Sequence, residues 1–226
     1  MPWPDVAEFQ QFLTASGLYG VLPSLTPTAI QQALDLQGAL SAAIDDWNYR
    51  TRYWPFLSTG NSSEQRNFDP AIGGMVDFNG GLVTLTLFRT QVTYANPVGV
   101  TRVLNRDFYL RPSDAPNQNK PWTYATAGLY GLTGIESGWQ QSIAITGEWG
   151  FCTDANLPSK ARRAVMCLAA SELMPQITLQ LRQGGLDRIS QGDETKQWSQ
   201  KINDMRDFWM AEADGYQNFY QRPRFA

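Results

Sequence analysis

The sequence predicts an α+β fold in which a helical bundle is interrupted by an inserted antiparallel β lobe and is followed by an extended C-terminal tail. Apolar residues recur every three to four positions up to Pro55, which is the spacing of one helix face. They then alternate every second position up to Thr146, as in half-buried strands, and return to helical spacing after Phe151. Because each flanking helical segment has a single apolar face, the two segments need each other to bury it.

The N-terminal part of the bundle is predicted at residues 1–60. Asp5 can cap a first helix, and Glu8 follows three residues later, as in a capping box. Gly17 is placed to end that helix in a left-handed conformation. Thr26-Pro27 predicts the start of a second helix of about six turns, which Pro55 terminates.

The inserted β lobe is predicted at residues 61–155, after a polar boundary at 58–67. Asn79-Gly80 predicts a tight hairpin turn ahead of an alternating strand at 83–87. The other predicted strands are at 91–94, 98–104, 108–110, 122–126 and 139–146. Short strands separated by turn residues favour a small sandwich or a rolled antiparallel sheet.

The C-terminal part of the bundle is predicted at residues 156–213, with the extended tail at 214–226. Ala161, Ala164 and Ala169 give the first of its helices a small-residue face, which could pack closely on the second helix of the chain. Pro175 is predicted to kink or end that helix. A last helix is predicted from about Glu194 to Ala213.

The composition excludes several kinds of chemistry. The chain has no histidine, so it has neither a Ser-His-Asp triad nor a His-ligated metal. Two cysteines are too few for a disulfide framework, and the sequence predicts no cofactor. A net charge of −3 disfavours tight binding to a nucleic-acid backbone. The first residues lack a secretory pattern and no apolar run is long enough for a membrane span, so we expect no membrane partner.

Three acidic residues are the candidates for a glycosidase pair. Glu136, Glu148 and Asp154 follow one another in the second half of the β lobe, and Trp139 and Trp149 could serve as sugar platforms. The plainer interpretation is that these acids are solvated turn residues. A carbohydrate-binding or glycoside-cleaving protein that uses the β lobe is one candidate function.

Two further patterns point to nucleic acid or nucleotides, each with a plainer interpretation. The glycines of GLYGLTGIESG (128–138) are typical of a phosphate-binding loop, but no Gly-Lys-Ser or Gly-Lys-Thr follows them. Arg102, Arg106 and Arg111 interleave with Phe108 and Tyr109, as in single-strand recognition. For a chain of net negative charge, an edge strand protected by charge is the plainer account of these arginines.

The last thirty residues are unusually aromatic. The residue types most enriched in interface anchors predict a partner-binding segment at Tyr216, Phe219, Tyr220, Arg222, Arg224 and Phe225. Trp198, Phe208 and Trp209 precede them. The alternative is that these rings cover the protein's own core.

The stretch SIAITGEWGF (142–151) is interpreted as the junction between the lobes. Its strand is predicted to end at Thr146, and Gly147 and Gly150 permit a sharp change of direction. Trp149 is expected to pack at the lobe junction, and Glu148 is expected to be a turn or subunit-contact residue rather than an acid catalyst.

Four segments in this order resemble the head-to-tail connector, or adaptor, proteins of tailed bacteriophages. They are AAIDDWNYRTRYW (42–54), SIAITGEWGF (142–151), LPSKARRAVMCLAA (157–170) and GGLDRISQGDET (184–195). Those proteins are similar in having a helical bundle with a β insertion. The β insertion here is long for that family, and the last thirty residues carry no matching motif.

The resemblance implies a structural virion protein without enzymatic activity. Its copies, usually twelve, would form a ring beneath the portal of a filled capsid and would present a surface to the next tail or tail-completion protein. DNA would pass through the lumen without sequence-specific binding, and assembly would take place in the host cytoplasm. The β lobe would face outward or toward the tail, and the C-terminal segment would reach toward the portal.

Overall fold

The computed structural model describes residues 2–16, 35–69, 74–113, 123–130, 141–183 and 194–220. Within them the chain is mixed α+β, with four α-helices and a curled antiparallel sheet, so the predicted fold class is confirmed at that level. The helices are α1 (Val6–Ala15), α2 (Leu36–Thr51), α3 (Ser159–Gln183) and α4 (Glu194–Tyr220). The strands are β1 (Glu64–Phe68), β2 (Met75–Thr90), β3 (Val100–Thr101), β4 (Phe108–Arg111), β5 (Tyr124–Leu129) and β6 (Ile143–Trp149).

The chain divides into two compact units. The sheet unit comprises Met1–Pro2 and Arg52–Leu157, and the helical unit comprises Trp3–Thr51 and Pro158–Ala226. None of the helices in the described ranges combines the length and the hydropathy that a membrane span requires.

Helix α1 begins as the sequence predicts. Asp5 has extended backbone angles, and its Oδ1 accepts a hydrogen bond of 2.8 Å from the backbone N–H of Glu8. This satisfies one of the N–H groups that the first turn leaves without a helical partner. Phe9 and Leu13 bury the apolar face. The predicted cap at Gly17 and the helix start at Thr26-Pro27 lie outside the described residues.

Helix α3 lies in contact with α2 and α4 through small side chains. Ala161, Ala164 and Ala169 are fully buried, which lets the helix backbones approach closely. Pro175 lies inside α3, so of the two predicted outcomes, a kink or a helix end, the helix end is wrong. Leu173 and Ile177 are fully buried on either side of it, and their burial favours helix through the proline.

Helix α4 continues seven residues beyond the predicted end at Ala213, as far as Tyr220. The prediction of an extended tail from residue 214 is therefore wrong for 214–220. The Tyr220 side chain is buried, and its ring meets that of Trp47 edge-on, with 6.1 Å between centroids. Packing of this ring on α2 stabilises the last turns of α4.

The sheet has the strand order β1-β6-β2-β5-β4, with β3 paired to the end of β2, and every pairing between these strands is antiparallel. The predicted strand at 83–87 lies within β2, and β4, β5 and β6 confirm three further predicted positions, although β5 and β6 each begin and end later than predicted. The predicted strand at 98–104 is reduced to Val100–Thr101, and 91–94 is not a strand. Strand β1 is not among the predicted strands, because its polar residues Glu64 and Gln65 are typical of a boundary loop.

Asn79-Gly80 does not form the predicted hairpin turn. Strand β2 runs through it, and Gly80 and Gly81 have φ angles of 113° and 76°. The pairing of β2 with β5 shifts register between Asp77 and Leu82. The positive φ angles therefore occur at an irregularity that bends one long strand, and the chain does not reverse direction there.

The core of the sheet unit is built from aromatic rings. Phe68, Phe78 and Trp149 pack together with centroid distances of 5.6 to 5.9 Å. Phe88 of β2 stacks on Phe108 of β4, with 4.3 Å between centroids. These rings cover one face of the sheet. Side chains at the strand ends and in the connecting loops remain at the surface.

Candidate partner-binding surface

Two exposed phenylalanines mark one side of helix α4. The Phe208 side chain is 63% exposed and that of Phe219 is 73% exposed. They are eleven residues apart, which is about three helical turns, so they lie on the same side of the helix. We call Phe208, Glu212, Tyr216 and Phe219, with Lys160 and Arg163 of α3, the α4 surface.

Hydrogen bonds connect the polar side chains in the middle of the α4 surface. Arg163 donates to both carboxylate oxygens of Glu212, with an Nη2–Oε2 distance of 3.3 Å, and the Tyr216 hydroxyl donates to Oε1 at 3.0 Å. The hydrogen bond from Arg163 lowers the pKa of Glu212. Glu212 is thus ionised at neutral pH and orients both neighbours.

Cys167 contacts the same carboxylate, with its Sγ 3.6 Å from Glu212 Oε2. Burial, with the negative charge of Glu212 as a smaller cause, raises the pKa of the Cys167 thiol to about 12. Burial likewise raises the pKa of Cys152 to about 12. Both cysteines are free, buried thiols that stay protonated at neutral pH, so they are core residues rather than nucleophiles or soft metal ligands.

The predicted partner-binding residues separate into different environments. Phe219 is exposed, with the Lys160 Nζ 5.4 Å from its ring centroid, whereas Tyr220 is only 8% exposed. Asp214 accepts a hydrogen bond of 2.7 Å from Arg50 of α2, which fixes this end of α4 on its neighbour. Tyr220 is therefore an anchor of the helix, and Phe219 presents its ring to solvent. Arg222, Arg224 and Phe225 lie outside the described residues.

A groove of about 360 Å³ borders the Phe208 end of the α4 surface. Phe12 of α1 and Trp209 of α4 form its aromatic wall, with ring centroids 6.2 Å apart. Met205 and Phe208 extend this wall. Apolar contact area is thus continuous beyond the exposed ring of Phe208.

The sheet unit has an exposed apolar surface of its own, which the sequence patterns did not indicate. Tyr94, Val98, Val100 and Val103 are each more than one third exposed. We call these four residues the β3 surface, because they precede, form and follow strand β3. The sequence predicts a half-buried strand at 98–104. Only Val100 and Thr101 pair with β2, so the apolar side chains of this segment remain at the surface.

The residues predicted to form the lobe junction lie mostly within strand β6. The strand continues past Thr146 to Trp149, so its predicted end is wrong. A Cβ at Gly147 would lie 2.3 Å from the carbonyl oxygen of Thr84, and glycine is thus required by the close approach of β2 rather than by a turn. Gly150 does have a positive φ of 146°, directly after the strand.

Trp149 is a core residue of the sheet unit. It is 1% exposed, and its Nε1 donates a hydrogen bond of 3.0 Å to the carbonyl oxygen of Glu64. The Arg66 guanidinium lies 4.7 Å from its ring centroid. A buried ring cannot stack on a sugar, so the interpretation of Trp149 as a sugar platform is wrong.

The two described candidate carboxylates, Glu148 and Asp154, lie in different local structures. Glu148 Oε1 accepts a hydrogen bond of 2.6 Å from the Ser58 hydroxyl, and Asp154 is an exposed residue of a short 3₁₀ turn, Asp154–Asn156. Glu136 and Trp139 lie outside the described residues. Among the residues that are described, no group of three or more Cys, Asp or Glu side chains could hold a metal ion.

The three arginines near β4 are held in different ways. Arg102 Nε donates to Thr90 Oγ1 at 2.7 Å, and Arg106 pairs with Asp107 at 2.9 Å. The hydrogen bond from Arg106 is the main cause that lowers the pKa of Asp107 to about 2. Arg111 lies over the Tyr109 ring, 5.0 Å from its centroid. They do not form the uniform cationic groove that a nucleic-acid strand requires.

No protein family, curated protein or solved structure matches this chain. Its function is therefore inferred from the two exposed surfaces and from the resemblance of the four sequence segments.

Proposed function

We propose that the chain is a structural adaptor of a virus particle, a head-to-tail connector of a tailed bacteriophage. Copies of the chain, about twelve, form a ring that joins the portal vertex of the capsid to the tail and lets DNA pass through its lumen. The observation that carries the proposal is that each of the two units exposes its own apolar surface, the α4 surface in one and the β3 surface in the other.

An adaptor needs separate surfaces for different neighbours. Exposed aromatic residues flanked by Arg and Lys are typical of protein interfaces, and contiguous apolar surface marks interaction sites. The α4 surface combines Phe208 and Phe219 with Lys160 and Arg163, and we assign it to the portal. The β3 surface is assigned to a neighbouring copy or to the tail-completion protein.

Features of the helical unit support assembly into a ring. The helical unit is formed by the two chain segments that flank the sheet unit, as an inserted lobe requires. Fully buried alanines make α3 a closely packed helix, which favours a rigid subunit that can repeat around an axis. The net charge of −3 lets DNA move through a lumen, because few phosphate contacts retard it.

The test is assembly with the portal protein of the same phage. Electron microscopy of the purified chain, alone and with the portal, should show a ring of about twelve 25.3 kDa subunits in at least the mixed sample. Phe219→Ser should weaken portal binding by about tenfold or more, since an exposed aromatic anchor is lost. Tyr49→Ser is the matched control, because Tyr49 is equally exposed in the helical unit but lies on α2.

Deletion of 221–226 tests the remaining predicted tail residues without removing the Tyr220 anchor. We expect this deletion to reduce portal binding while the circular dichroism spectrum stays unchanged. If the chain remains monomeric with the portal present, the adaptor assignment is wrong. If rings form and Phe219→Ser binds the portal as well as the Tyr49→Ser control does, the α4 surface is not the portal contact.

The competing function, a glycoside-cleaving virion protein, has less support. The Glu148 carboxylate is engaged by Ser58, and Trp149 is buried. If the chain cleaves bacterial surface glycans and Glu148→Gln abolishes that cleavage, the enzyme proposal replaces the adaptor proposal.

A further inference from the structure

The sheet unit contains an open basin of about 630 Å³ beside strand β4. Its lining includes three tyrosines, one arginine, one asparagine and one serine, and we call it the tyrosine basin. These residues are Tyr109, Tyr124, Tyr130, Arg111, Asn105 and Ser113. We propose that the tyrosine basin binds an acidic saccharide, that is, a sugar ring that carries a carboxylate. This inference is independent of the ring and of the portal.

One wall of the basin is a pair of tyrosine rings. Tyr109 is opposite Gly128 in the β4–β5 pairing, and a Cβ at Gly128 would lie 2.2 Å from Cζ of Tyr109. Only glycine lets the Tyr109 ring lie across β5, where the ring of Tyr130 meets it with 5.0 Å between centroids. Tyr130 is 53% exposed, so its ring is accessible to a sugar from the basin.

The Arg111 guanidinium of the basin is available to bind an anionic ligand. Arg111 stacks on Tyr109, and among the described residues no carboxylate forms an ion pair with it. Stacking limits the rotamers of the long side chain, and no hydrogen bond within the described part of the chain occupies its N–H groups. A planar guanidinium held in this way matches a carboxylate by two parallel hydrogen bonds.

The charge around the basin favours a ligand with one negative charge over a polyanion. Arg106, five residues before Arg111, is neutralised by Asp107, and Arg102 is bonded to Thr90. A nucleic-acid strand needs several cations along its backbone, and the described residues of the basin lining supply one. An acidic sugar needs only one.

The remaining polar groups suit a ligand rich in hydroxyl groups. The tyrosine and serine hydroxyls both donate and accept, and the Asn105 amide offers a donor and an acceptor. The volume falls in the range of small-molecule sites, which combine aromatic walls with a few placed polar groups. Aromatic faces for the ring, neutral partners for its hydroxyls and one guanidinium for its carboxylate therefore occur together.

Titration calorimetry with galacturonic acid, a sugar with one carboxylate, tests the proposal, with neutral galactose as the comparison ligand. We expect saturable binding of the acidic ligand, and binding about tenfold weaker for the neutral one. Arg111→Ala should reduce affinity for the acidic ligand about tenfold, to the level of the neutral one. Arg106→Ala is the matched control, because it also removes an arginine near β4 but one outside the basin lining, and it should bind normally.

Tyr130→Ala should weaken binding of both saccharides, because it removes an aromatic ring whose contact with a sugar does not depend on the charge of the ligand. The proposal is overturned if galacturonic acid shows no saturable binding, or if Arg106→Ala and Arg111→Ala weaken that binding equally. Tighter binding of oligothymidylate than of galacturonic acid would also overturn the proposal and would identify the basin as a nucleic-acid site. Ring formation with the portal is measured separately, so either proposal can fail alone.

Discussion

The two units differ in the size of the side chains at their main packing contacts. In the helical unit, α3 contacts α2 and α4, and its fully buried side chains include small ones such as Ala164 and Ala169, which let helix backbones approach closely. In the sheet unit, large rings such as Phe88 and Trp149 fill the space above one face of the sheet. We therefore expect the small-residue face of α3 to tolerate enlargement poorly and the ring cluster of the sheet unit to tolerate truncation poorly.

The largest effect is expected from truncation in the sheet unit. Trp149→Ala removes a ring that packs on Phe68 and Phe78 and a hydrogen bond to Glu64, so we expect a loss of about 3 to 5 kcal/mol in the free energy of unfolding. Urea denaturation followed by circular dichroism measures it. Trp149→Phe, which keeps most of the ring, should lose clearly less. An equal loss in both variants would mean that the hydrogen bond, not the packing, dominates.

Enlargement in the helical unit should have the next largest effect. Ala169→Leu adds three carbons at a fully buried position of α3, and we expect a loss of about 1 to 3 kcal/mol from overpacking. Gln176→Leu adds the same side chain at an exposed position of the same helix and should change stability by about 0.5 kcal/mol or less. If the two variants unfold at the same urea concentration, the close packing of α3 does not stabilise the unit.

The sequence predicts the features that depend on neighbouring residues. The Asp5 cap needs only Glu8 three residues later, and the buried alanine face of α3 follows from its spacing. Asn79-Gly80 shows the limit of such patterns, because positive φ angles serve a hairpin turn and a bend in a strand equally well. The choice between them depends on pairing with β5, which is more than forty residues away in the chain.

The candidate surfaces were predictable only in part, for the same reason. The aromatic ending of the chain indicated a partner-binding segment, but the burial of Tyr220 beside exposed Phe219 depends on Trp47 of α2. The tyrosine basin could not be predicted, because Tyr109 and Tyr130 meet only through the pairing of β4 with β5. Spacing along the chain carries no signal for such a contact.

The carboxylates of the two units extend the comparison from packing to charge. Glu212 in the helical unit is paired with Arg163, and Glu212→Gln leaves that guanidinium without its opposite charge. We expect a loss of about 1 kcal/mol at pH 7, limited because Arg163 is half exposed. Thermal unfolding of both proteins between pH 3 and pH 7 gives the difference.

The difference between wild type and Glu212→Gln should depend on pH in a defined direction. The folded protein lowers the pKa of Glu212 from its ordinary value of 4.5, so ionised Glu212 stabilises the fold above pH 4.5. The stabilisation is lost as the pH falls through the lower pKa of the folded state. The two unfolding curves should therefore converge in acid. A difference that stays constant down to pH 3 would show that the charge of Glu212 is not its source.

The smallest effect is expected at Glu148 in the sheet unit. Its Oε1 accepts from the neutral Ser58 hydroxyl, and the carbonyl oxygen of glutamine can accept the same hydrogen bond. Glu148→Gln should thus lose about 0.5 kcal/mol or less, because no opposite charge is left without a partner, whereas Glu148→Ala removes the acceptor and should lose about 1 kcal/mol. Urea denaturation of the two variants beside Glu212→Gln ranks the contacts. An equal loss of unfolding free energy in Glu148→Gln and Glu212→Gln would contradict this prediction. The charge of Glu148 would then stabilise the sheet unit as much as the charge of Glu212 stabilises the helical unit.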